Sequence, residues 1–476
     1  MIDAQQIADE MLGKASIAAA VFHELNQQET DKIVESVYKA GFKNRVRLAK
    51  HAHEETKLGV WQHKVMKNVI ATQLVYDNIK DEKTVGVISE DKQSGITEIA
   101  QPLGPVFAVI PVTNPTSTAL NKILISLKTR NPVIISAHRN AVNCCKETAE
   151  LCYKAALAAG APDDCIQIIE HHSRELTHAI MTHHQLALIL ATGGTGLVNA
   201  AYSSGNPAIG VGPGNVPVFI DKSSDIHFAV ENIILSKTFD NGTICASEQA
   251  VVVEKTISKE VIYEFKKQGC YFLNKEEIKK LEPVAINMEK GSMNAAIVGK
   301  SANYIAKEAG IEVPEDTKIL IAQLEGIGSD YPLSSEVLAP ILAYYTCDSY
   351  DEAIKTCIDL NYLGGVGHTA AIYANDEERI SEFSQIMNAG RIVVNTPSSQ
   401  GAVGGSYNTL NTSLTLGCGS GGKNITTDNI TASHLLNMQR VTRRRLNQKW
   451  FAFDATQYLD ESKNEEDIML EYNKNS

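Results

Sequence analysis

One cysteine in the sequence stands where a reactive thiol could be presented. Cys245 follows the small, flexible segment Asn241-Gly242-Thr243 and precedes an apolar run at 250–253 that is typical of a strand. A nucleophilic cysteine needs thiolate character and access, and a loop between a helix and a strand can provide both. A thiol packed in an apolar core is inert, which is the alternative for any one cysteine among nine.

A glycine-rich turn at 192–198 is the second feature with chemical potential. It places Gly193, Gly194 and Gly196 between a predicted strand and a predicted helix. Backbone amides at a helix N-terminus bind phosphate, and glycines let a diphosphate approach closely. The turn lacks a regular GxGxxG pattern, so tight packing remains the alternative. No GxxxxGK[ST] segment is present, which disfavours nucleotide hydrolysis.

The elements around these features alternate between strand and helix. Apolar periodicity predicts helices to about residue 80, and segments 84–88 and 96–100 flank a polar turn and predict a β-hairpin. Beyond it we predict strands at 106–110, 133–136, 165–169 and 186–191, and helices at 116–128, 142–159, 174–182 and 197–203. This alternation is typical of a parallel sheet covered by helices on both faces.

A second α/β region follows Cys245, with strands predicted near Val251, Ala296, Ile319, Ile341, Ala370 and Ile392. The boundary falls close to the cysteine, and clefts between domains often hold small-molecule sites. We therefore predict an α/β fold with two domains built on parallel sheets. The nucleotide-binding domain comprises residues 1–82 and 102–240, and the catalytic thiol domain residues 241–430. Residues 83–101 form an oligomerisation hairpin with C-terminal segments, and 431–476 form a C-terminal segment with an acidic tail.

Composition excludes several classes of function. With 476 residues, 43% of them hydrophobic and 21% charged, the chain is expected to be a soluble globular protein. The net charge of −12 argues against nucleic acid as a partner. The first residues lack a secretory signal and no segment is apolar enough to span a membrane, so a cytoplasmic location is expected. The nine cysteines lack CxxC spacing, which fits neither a disulfide framework nor a metal site.

Seven segments, taken together and in order, resemble the aldehyde dehydrogenase superfamily. They are 110–117, 191–196, 209–215, 239–249, 336–340, 364–369 and 416–422. The resemblance is to the CoA-acylating branch, and most closely to the N-terminal half of bifunctional aldehyde-alcohol dehydrogenases. It extends to about residue 450, so the acidic tail beyond Phe451 lies outside it and no iron-dependent alcohol dehydrogenase half is expected to follow. It implies an aldehyde dehydrogenase-like fold.

The resemblance also implies catalytic roles for three residues. Cys245 is expected to attack the aldehyde, and Asn114 to stabilise the oxyanion together with the Cys245 backbone amide. His368 is expected to assist deprotonation of the CoA thiol or to position CoA. Without the resemblance, Asn114 is equally well explained as a helix cap before Pro115 and His368 as a structural histidine.

NAD or NADP as cofactor and coenzyme A as co-substrate follow from the same resemblance. Glu336 is expected to hold the hydroxyls of the nicotinamide ribose. Arg139 stands where acylating relatives usually carry proline, and an arginine beside the adenosine ribose could accept a 2′-phosphate. The full set of expected cofactor-binding residues is Thr113, His138, Arg139, Gly193, Gly194, Thr195, Val211, Gly212, Glu336 and Leu338.

One difference from the hydrolytic members of the family concerns the acyl acceptor. Val211 stands where they carry a glutamate that activates water, and valine cannot act as a base. A thioester without such a base is expected to persist until another thiol takes the acyl group. The expected reaction is therefore conversion of a short aldehyde, acetaldehyde first, to its acyl-CoA.

Alternatives remain for substrate and class. A substituted aldehyde such as sulfoacetaldehyde is a rival substrate, and a non-catalytic assembly or microcompartment protein is a rival class that Cys245 and Asn114 disfavour. The polar hairpin predicts a homodimer or a higher homo-oligomer. A basic cluster, Arg440 with 443–445, is expected to be a solvated helix face or a subunit contact, with CoA phosphates as the alternative partner.

Overall fold

Parallel strands separated by helices recur through the structure, a computed structural model that describes residues 3–170 and 173–474. Two units separate by their internal contacts. The first runs from the N-terminal helix to Glu82 and includes Pro102–Leu436, and the second comprises Lys83–Gln101 and the chain from Asn437 onward. Both large sheets belong to the first unit.

The first sheet has five parallel strands in the order β5-β4-β3-β6-β7. Every residue of β3 and β4 is buried, which is why these segments are almost continuous runs of valine, isoleucine and alanine. From β3 the chain builds outward first through β4 and β5, and then on the other side through β6 and β7. The strands are β3 Val106–Ile110, β4 Val133–Ala137, β5 Ile166–Ile168, β6 Leu188–Thr192 and β7 Ala208–Val211.

Helices cover this sheet, and α6 lies at the centre of the packing. All of its residues are buried, and it begins with Pro115 at its first position, where the missing N–H is not needed. A π-helical turn, Ile70–Leu74, joins α4 to α5. The helices are α1 Ala4–Glu24, α2 Gln27–Lys43, α3 Arg45–Thr56, α4 Trp61–Val69, α5 Val75–Ile79, α6 Pro115–Lys128, α7 Val142–Ala159, α8 Arg174–Met181 and α9 Thr195–Tyr202.

The second sheet has seven parallel strands in the order β10-β13-β14-β9-β8-β15-β16. Its strands are β8 Val216–Ile220, β9 Glu248–Glu254, β10 Cys270–Phe272, β13 Ile319–Gln323, β14 Ile341–Cys347, β15 Ala370–Tyr373 and β16 Ile392–Val394. Its helices are α10 Ile226–Thr238, α11 Lys255–Lys267, α12 Lys275–Ala285, α13 Ala302–Glu308, α14 Tyr350–Gly364, α15 Glu377–Ile386 and α16 Ser398–Gly401. The central strand β9 begins three residues after Cys245, so the cysteine lies at the amino end of the sheet's middle.

The strand predicted near Ala296 is wrong. This segment forms a 3-10 turn, Ala295–Ile297, because the side chain of Asn294 accepts a hydrogen bond from the Ala296 amide and caps it. A short antiparallel pair, β11 Ile286–Asn287 and β12 Ser292–Met293, precedes the turn.

The second unit contains the predicted hairpin, β1 Gly86–Asp91 and β2 Ile96–Pro102, paired antiparallel. A strand near the C-terminus, β17 Leu436–Thr442, lies beside β2 in the same sheet. Arg440 therefore lies on a strand, with its Nε 3.1 Å from Oε1 of Glu98, and the helix-face interpretation of the basic cluster is wrong. Helices α17 Gln448–Ala452 and α18 Glu465–Lys474 follow.

The predicted fold class is confirmed: two parallel sheets with helices, and a small antiparallel sheet. In the ranges described, no helix combines the length and the apolar character that a membrane span requires.

Candidate active site

The loop that carries Cys245 is built on an unusual turn. After α10, Asp240, Asn241 and Gly242 all adopt left-handed backbone conformations, with φ of 51°, 54° and 74°. Asp, Asn and Gly are the residue types that best tolerate this region. The side-chain Nδ2 of Asn241 donates to the Gly299 carbonyl at 2.9 Å, which holds the turn to a neighbouring loop. The turn changes the direction of the chain between α10 and β9, and Cys245 lies on the short segment between the turn and the strand.

Cys245 differs from the other cysteines in exposure. All nine lie in the described part of the chain; Cys245 is half-buried and the other eight are buried. Burial raises the pKa of the Cys245 thiol to about 12, and the nearby carboxylate of Glu336 adds to this. Cys245 is therefore partly exposed, but its thiol is protonated at neutral pH, and its reaction requires groups that stabilise the thiolate or the charge formed after attack.

The raised pKa predicts how the thiol titrates. Below its pKa the thiolate fraction, and with it the alkylation rate, rises about tenfold per pH unit. We expect the rate of Cys245 alkylation by iodoacetamide to keep rising in this way between about pH 7 and pH 9, because the pKa of about 12 lies above that range. Peptide mass spectrometry measures it, with the eight buried cysteines as internal references. A plateau below pH 8 would contradict the raised pKa.

Asn114 lies between β3 and α6, at the position that precedes the first residue of the helix. Its side chain makes no capping hydrogen bond. Instead Oδ1 accepts from Lys67 Nζ at 2.6 Å, and Nδ2 donates to Thr113 Oγ1 at 3.0 Å. The same Lys67 ammonium donates to Thr243 Oγ1 at 2.8 Å, two residues before Cys245. One side chain thus links the Asn114 amide to the cysteine loop.

Glu336 lies on the loop before β14. Its Oε1 accepts from the Gly214 amide at 2.9 Å, and burial raises its pKa to about 7. The loop is held by its next residue, Val337, whose carbonyl accepts from Lys237 at 3.1 Å and whose amide donates to Gln249 at 3.0 Å. Because Gln249 belongs to β9, the loop that carries Glu336 is tied to the strand that follows Cys245.

His368 is fully buried, just before β15. Its Nδ1 lies 3.0 Å from Thr369 Oγ1, while Nε2 has no hydrogen-bond partner. Burial lowers its pKa to about 3, with the Arg391 charge adding to this, so the ring is neutral. A Cβ on Gly214 would lie 2.4 Å from the Cys245 carbonyl oxygen and 3.1 Å from His368 Nδ1. The absence of a side chain at Gly214 therefore lets the histidine approach the cysteine backbone.

The expected nucleotide-binding residues gather at one edge of the first sheet. Thr113 follows β3, His138 and Arg139 follow β4, and Gly193 follows β6. The carboxyl ends of parallel strands meet at the same edge, and ligands bind where the strand order reverses, here between β3 and β6. Lys122 of α6 bridges this point, donating to the carbonyls of Val109 and Leu190.

The glycine turn at this edge fits a phosphate group. Gly194 precedes the first residue of α9, and both Gly194 and Thr195 are exposed. A Cβ on Gly194 would meet nothing within 4 Å, whereas one on Gly193 would lie 2.7 Å from Leu197. A side chain at Gly193 would make the Leu197 side chain shift, and Gly194 leaves the helix N-terminus open to an anion.

Three of the predicted cofactor-binding residues, Val211, Gly212 and Leu338, are buried or half-buried. The side chain of Val211, the last residue of β7, is 2% exposed and packs in the core that includes Ile244 and Ala246. Gly212 follows it and is half-buried. Leu338 is also half-buried, and its amide lies 2.9 Å from the sulfur of Met293. Only the backbone of Val211 could therefore contact a nucleotide.

A group of buried charges below the cysteine loop was not predicted from the sequence. Lys64, Lys67 and Asp240 are at most 3% exposed, although lysines on an amphipathic helix are expected to face solvent. The one available signal was the spacing of three residues, which places both lysines on the same face of α4. Among the described residues, no cluster of three or more His, Cys, Asp or Glu side chains could hold a metal ion.

The structure combines parallel sheets, a strand-order switch point, an open helix N-terminus and a half-buried cysteine whose loop is linked through Lys67 to a side-chain amide. This combination is typical of nucleotide-dependent thiol enzymes. A family model described as aldehyde dehydrogenase family matches residues 2–270. The chain belongs to this family.

Individual members of the family are similar to this chain over most of its length. The aldehyde-alcohol dehydrogenase of Streptococcus pneumoniae serotype 4 is 45% identical over 438 residues, which cover 89% of this chain and 50% of the relative. The chain thus spans about half the length of that protein. An acetylating aldehyde dehydrogenase from Geobacillus thermoglucosidasius has 47% identity and a TM-score of 0.90, covering 93% of this chain and 98% of that one. A propionaldehyde dehydrogenase from Rhodopseudomonas palustris, solved with bound propionyl-CoA, has 26% identity and a TM-score of 0.82, covering 92% and 94%.

Proposed function

We propose that this protein is a CoA-acylating aldehyde dehydrogenase, which converts an aldehyde, CoA and NAD(P)+ to acyl-CoA and NAD(P)H. The observation that carries the proposal is the half-buried Cys245, held on a left-handed turn and linked through Lys67 to the Asn114 amide. The acetylating relative and the one solved with propionyl-CoA support it. A non-catalytic assembly role finds no support in these relatives, which are named as dehydrogenases.

The first half-reaction uses Cys245 and Asn114. The Cys245 sulfur attacks the aldehyde carbonyl and forms a thiohemiacetal, whose oxyanion accepts hydrogen bonds from the Asn114 amide and the Cys245 backbone N–H. A nicotinamide bound in the crevice supplies the hydride acceptor for this carbon. Glu336, on its anchored loop, is positioned to accept hydrogen bonds from ribose hydroxyls. Cys245 is then acylated.

The second half-reaction transfers the acyl group to CoA. The ring of His368 is neutral and, with a pKa lowered to about 3, a weak base; its Nε2 has no hydrogen-bond partner, and the Gly214 backbone lies between it and the Cys245 carbonyl. Because His368 is buried, we propose that it acts on a thiol already seated at the thioester, and not on CoA in solution. No carboxylate is available at Val211 to activate water in competition.

For the nucleotide, we expect measurable use of both NAD and NADP. Arg139 is exposed at the carboxyl end of β4, where this fold places the group that reads the ribose 2′ position. Replacing Arg139 with alanine should raise the Michaelis constant for NADP more than that for NAD, because only NADP carries the phosphate. Steady-state kinetics with both nucleotides measures this. Equal changes in the two constants would remove Arg139 from the ribose site.

The aldehyde is proposed to be short, with acetaldehyde first and a substituted aldehyde such as sulfoacetaldehyde second. The test is NAD(P)H formation over a panel of short aldehydes, with and without CoA, using both nucleotides. CoA-dependent formation of an acyl-CoA, identified by mass spectrometry, supports the proposal. No CoA-dependent product with any aldehyde would contradict it.

We also propose that the protein is at least a dimer, joined partly through the hairpin and segments near the C-terminus. Exposed apolar side chains on the three strands of the second unit, Val87, Ile96 and Val441, support a further contact. Light scattering at micromolar concentration is expected to give at least twice the chain mass of 51.8 kDa. A mass equal to one chain would contradict the prediction.

We propose a cytoplasmic location, with packaging inside a bacterial microcompartment as the alternative. The nine cysteines are all unpaired, which suits a reducing compartment. Cell fractionation with a tagged chain, comparing free and sedimenting pools, separates the two locations.

A further inference from the structure

A cluster of buried polar side chains lies beneath the cysteine loop, and apart from Asn114 its members have no part in the reaction described above. Its members are Lys64 and Lys67 from α4, Asp240 and Thr243 from the loop, and Asn114 from the start of α6. Lys64 is 3% exposed, Lys67 2% and Asp240 0%. Burying two ammonium groups with one carboxylate costs desolvation free energy and leaves one charge in excess. Packing alone therefore does not explain the arrangement.

Lys67 uses all of its hydrogen-bonding capacity within this cluster. Its Nζ donates to Asn114 Oδ1 at 2.6 Å, to Thr243 Oγ1 at 2.8 Å and to a carboxylate oxygen of Asp240. An ammonium group has three donors and no acceptor, so none is left for substrate or solvent. Burial lowers the pKa of Lys67 to about 8, yet Asp240 and its partners keep the charged form favoured at neutral pH.

The contact with Lys67 decides which way the Asn114 amide faces. Because an ammonium group can only donate, the amide oxygen must face Lys67 and the NH2 group must face away from it. The NH2 group then lies against Thr113 Oγ1 at 3.0 Å, with its second hydrogen free. An amide that stabilises an oxyanion must present its NH2 group, so the contact selects the orientation that the chemistry needs.

The same cluster sets the conformation of the cysteine loop. The Asp240 carboxylate accepts from the Val60 amide at 2.7 Å, from Lys64 at 3.0 Å and from Thr243 Oγ1 at 2.8 Å. Although burial alone would raise the pKa of Asp240, Lys67 and Lys64 hold it at about 2, so the carboxylate stays charged. These bonds hold Asp240 in its left-handed conformation five residues before Cys245.

We propose that Lys67 is a positioning residue for acylation of Cys245. It orients the Asn114 amide as an oxyanion donor and, through Asp240 and Thr243, holds that amide in register with the thiol. This inference rests on the proposed function, because it assigns Lys67 a part in the oxyanion stabilisation at that site. Lys64 shares the helix face and the same carboxylate but makes no bond to Asn114, its other acceptor being the Thr113 carbonyl at 3.3 Å.

The test uses an activated ester in place of the aldehyde. The Cys245 thiolate attacks p-nitrophenyl acetate, a tetrahedral oxyanion forms, and p-nitrophenolate leaves with the bonding electrons as the acetyl thioester is made. This step needs neither nucleotide nor CoA, so its outcome is independent of the aldehyde reaction. We expect Lys67→Met to slow the p-nitrophenolate burst by about 10–10²-fold, less than the ~10²–10³-fold cost of removing an oxyanion donor, because Asn114 is still present but no longer held in its orientation. Lys64→Met removes one bond to Asp240 but none to Asn114, so it should slow the burst less than Lys67→Met does.

Two further measurements separate positioning from general damage. Alkylation by iodoacetamide forms no oxyanion, so although loss of the Lys67 charge also disfavours the Cys245 thiolate, alkylation should slow less than the ester burst in Lys67→Met. In an Asn114→Ala background, Lys67→Met should slow the ester burst less than about threefold further, because the donor through which it acts is already missing. Full additivity of the two substitutions, or equal loss of acylation and alkylation, would overturn the proposal.

A folding failure is also informative. Lys67→Met combined with Lys64→Met and Asp240→Asn removes all three charges and leaves no buried ion without its partner, so this triple variant serves if the single variant is insoluble. The same comparison of ester burst and alkylation then applies. If neither protein folds, Lys67 is required for the fold itself and the positioning role is overturned.

Discussion

Replacing Cys245 with alanine is expected to abolish NAD(P)H formation, with a loss of at least ~10³-fold, as for other covalent nucleophiles. The other eight cysteines are buried, so no second thiol can replace it. The segments on either side of Cys245 are held in place: the left-handed turn at 240–242 precedes it, Lys67 links Thr243 to the Asn114 amide, and the Glu336 loop is bonded to Gln249. Steady-state assays with aldehyde, NAD+ and CoA measure the effect.

Cys418 provides the matched control for this prediction. It is 5% exposed, and its charge interacts with Cys245 strongly enough to contribute to the raised pKa of the Cys245 thiol. Cys418→Ala is expected to keep activity within about fivefold, since it removes a small buried group and no nucleophile. Fluorescence titration with NADH should show that both variants still bind nucleotide. Retention of a tenth of the activity by Cys245→Ala would assign the nucleophile elsewhere.

Rapid mixing of the protein with aldehyde and excess NAD+, without CoA, is expected to give about one equivalent of NADH per active subunit and then stop. Acylation of Cys245 needs only the thiolate, the oxyanion donors and the nicotinamide. Hydrolysis of the thioester lacks a carboxylate at Val211, and general-base assistance is worth ~10²–10⁴. A thiol ionises more readily than water and is a better nucleophile, so adding CoA should restore steady turnover with ping-pong kinetics.

One variant serves as a control in this second experiment, and another does not. Glu336 is the carboxylate whose charge reaches Cys245, and with a pKa raised to about 7 by burial it could act as a weak base. Any slow NADH release without CoA should therefore fall further in Glu336→Gln. Val211→Glu is a poor test of the same point, because that side chain lies in a packed core at 2% exposure. Sustained CoA-independent turnover with free carboxylic acid as product would return the protein to the hydrolytic branch.

Much of the first sheet and its helices could be predicted from local sequence patterns. Short apolar runs followed by helical periodicity predicted β3, β4, β6 and their helices, because a strand buried on both faces must be apolar throughout. The prediction failed near Ala296, where an equally apolar run is capped by Asn294 and turns instead of pairing. Whether a short apolar run joins a sheet depends on its neighbours in space, which the run does not contain.

The candidate site, like the sheet, could be predicted only in part. The residue types available for chemistry could be predicted from the sequence: a thiol beside residues that tolerate a left-handed turn, an amide before a helix, and glycines at a strand end. Burial and side-chain orientation depend on the packing of segments that are distant in the chain. Lys67 and Asp240 are 173 positions apart, and no local pattern around His368 specifies that it is fully buried. The orientation of Asn114 depends on an ammonium group from another helix, since a side-chain amide has no preferred face until a charged partner selects one.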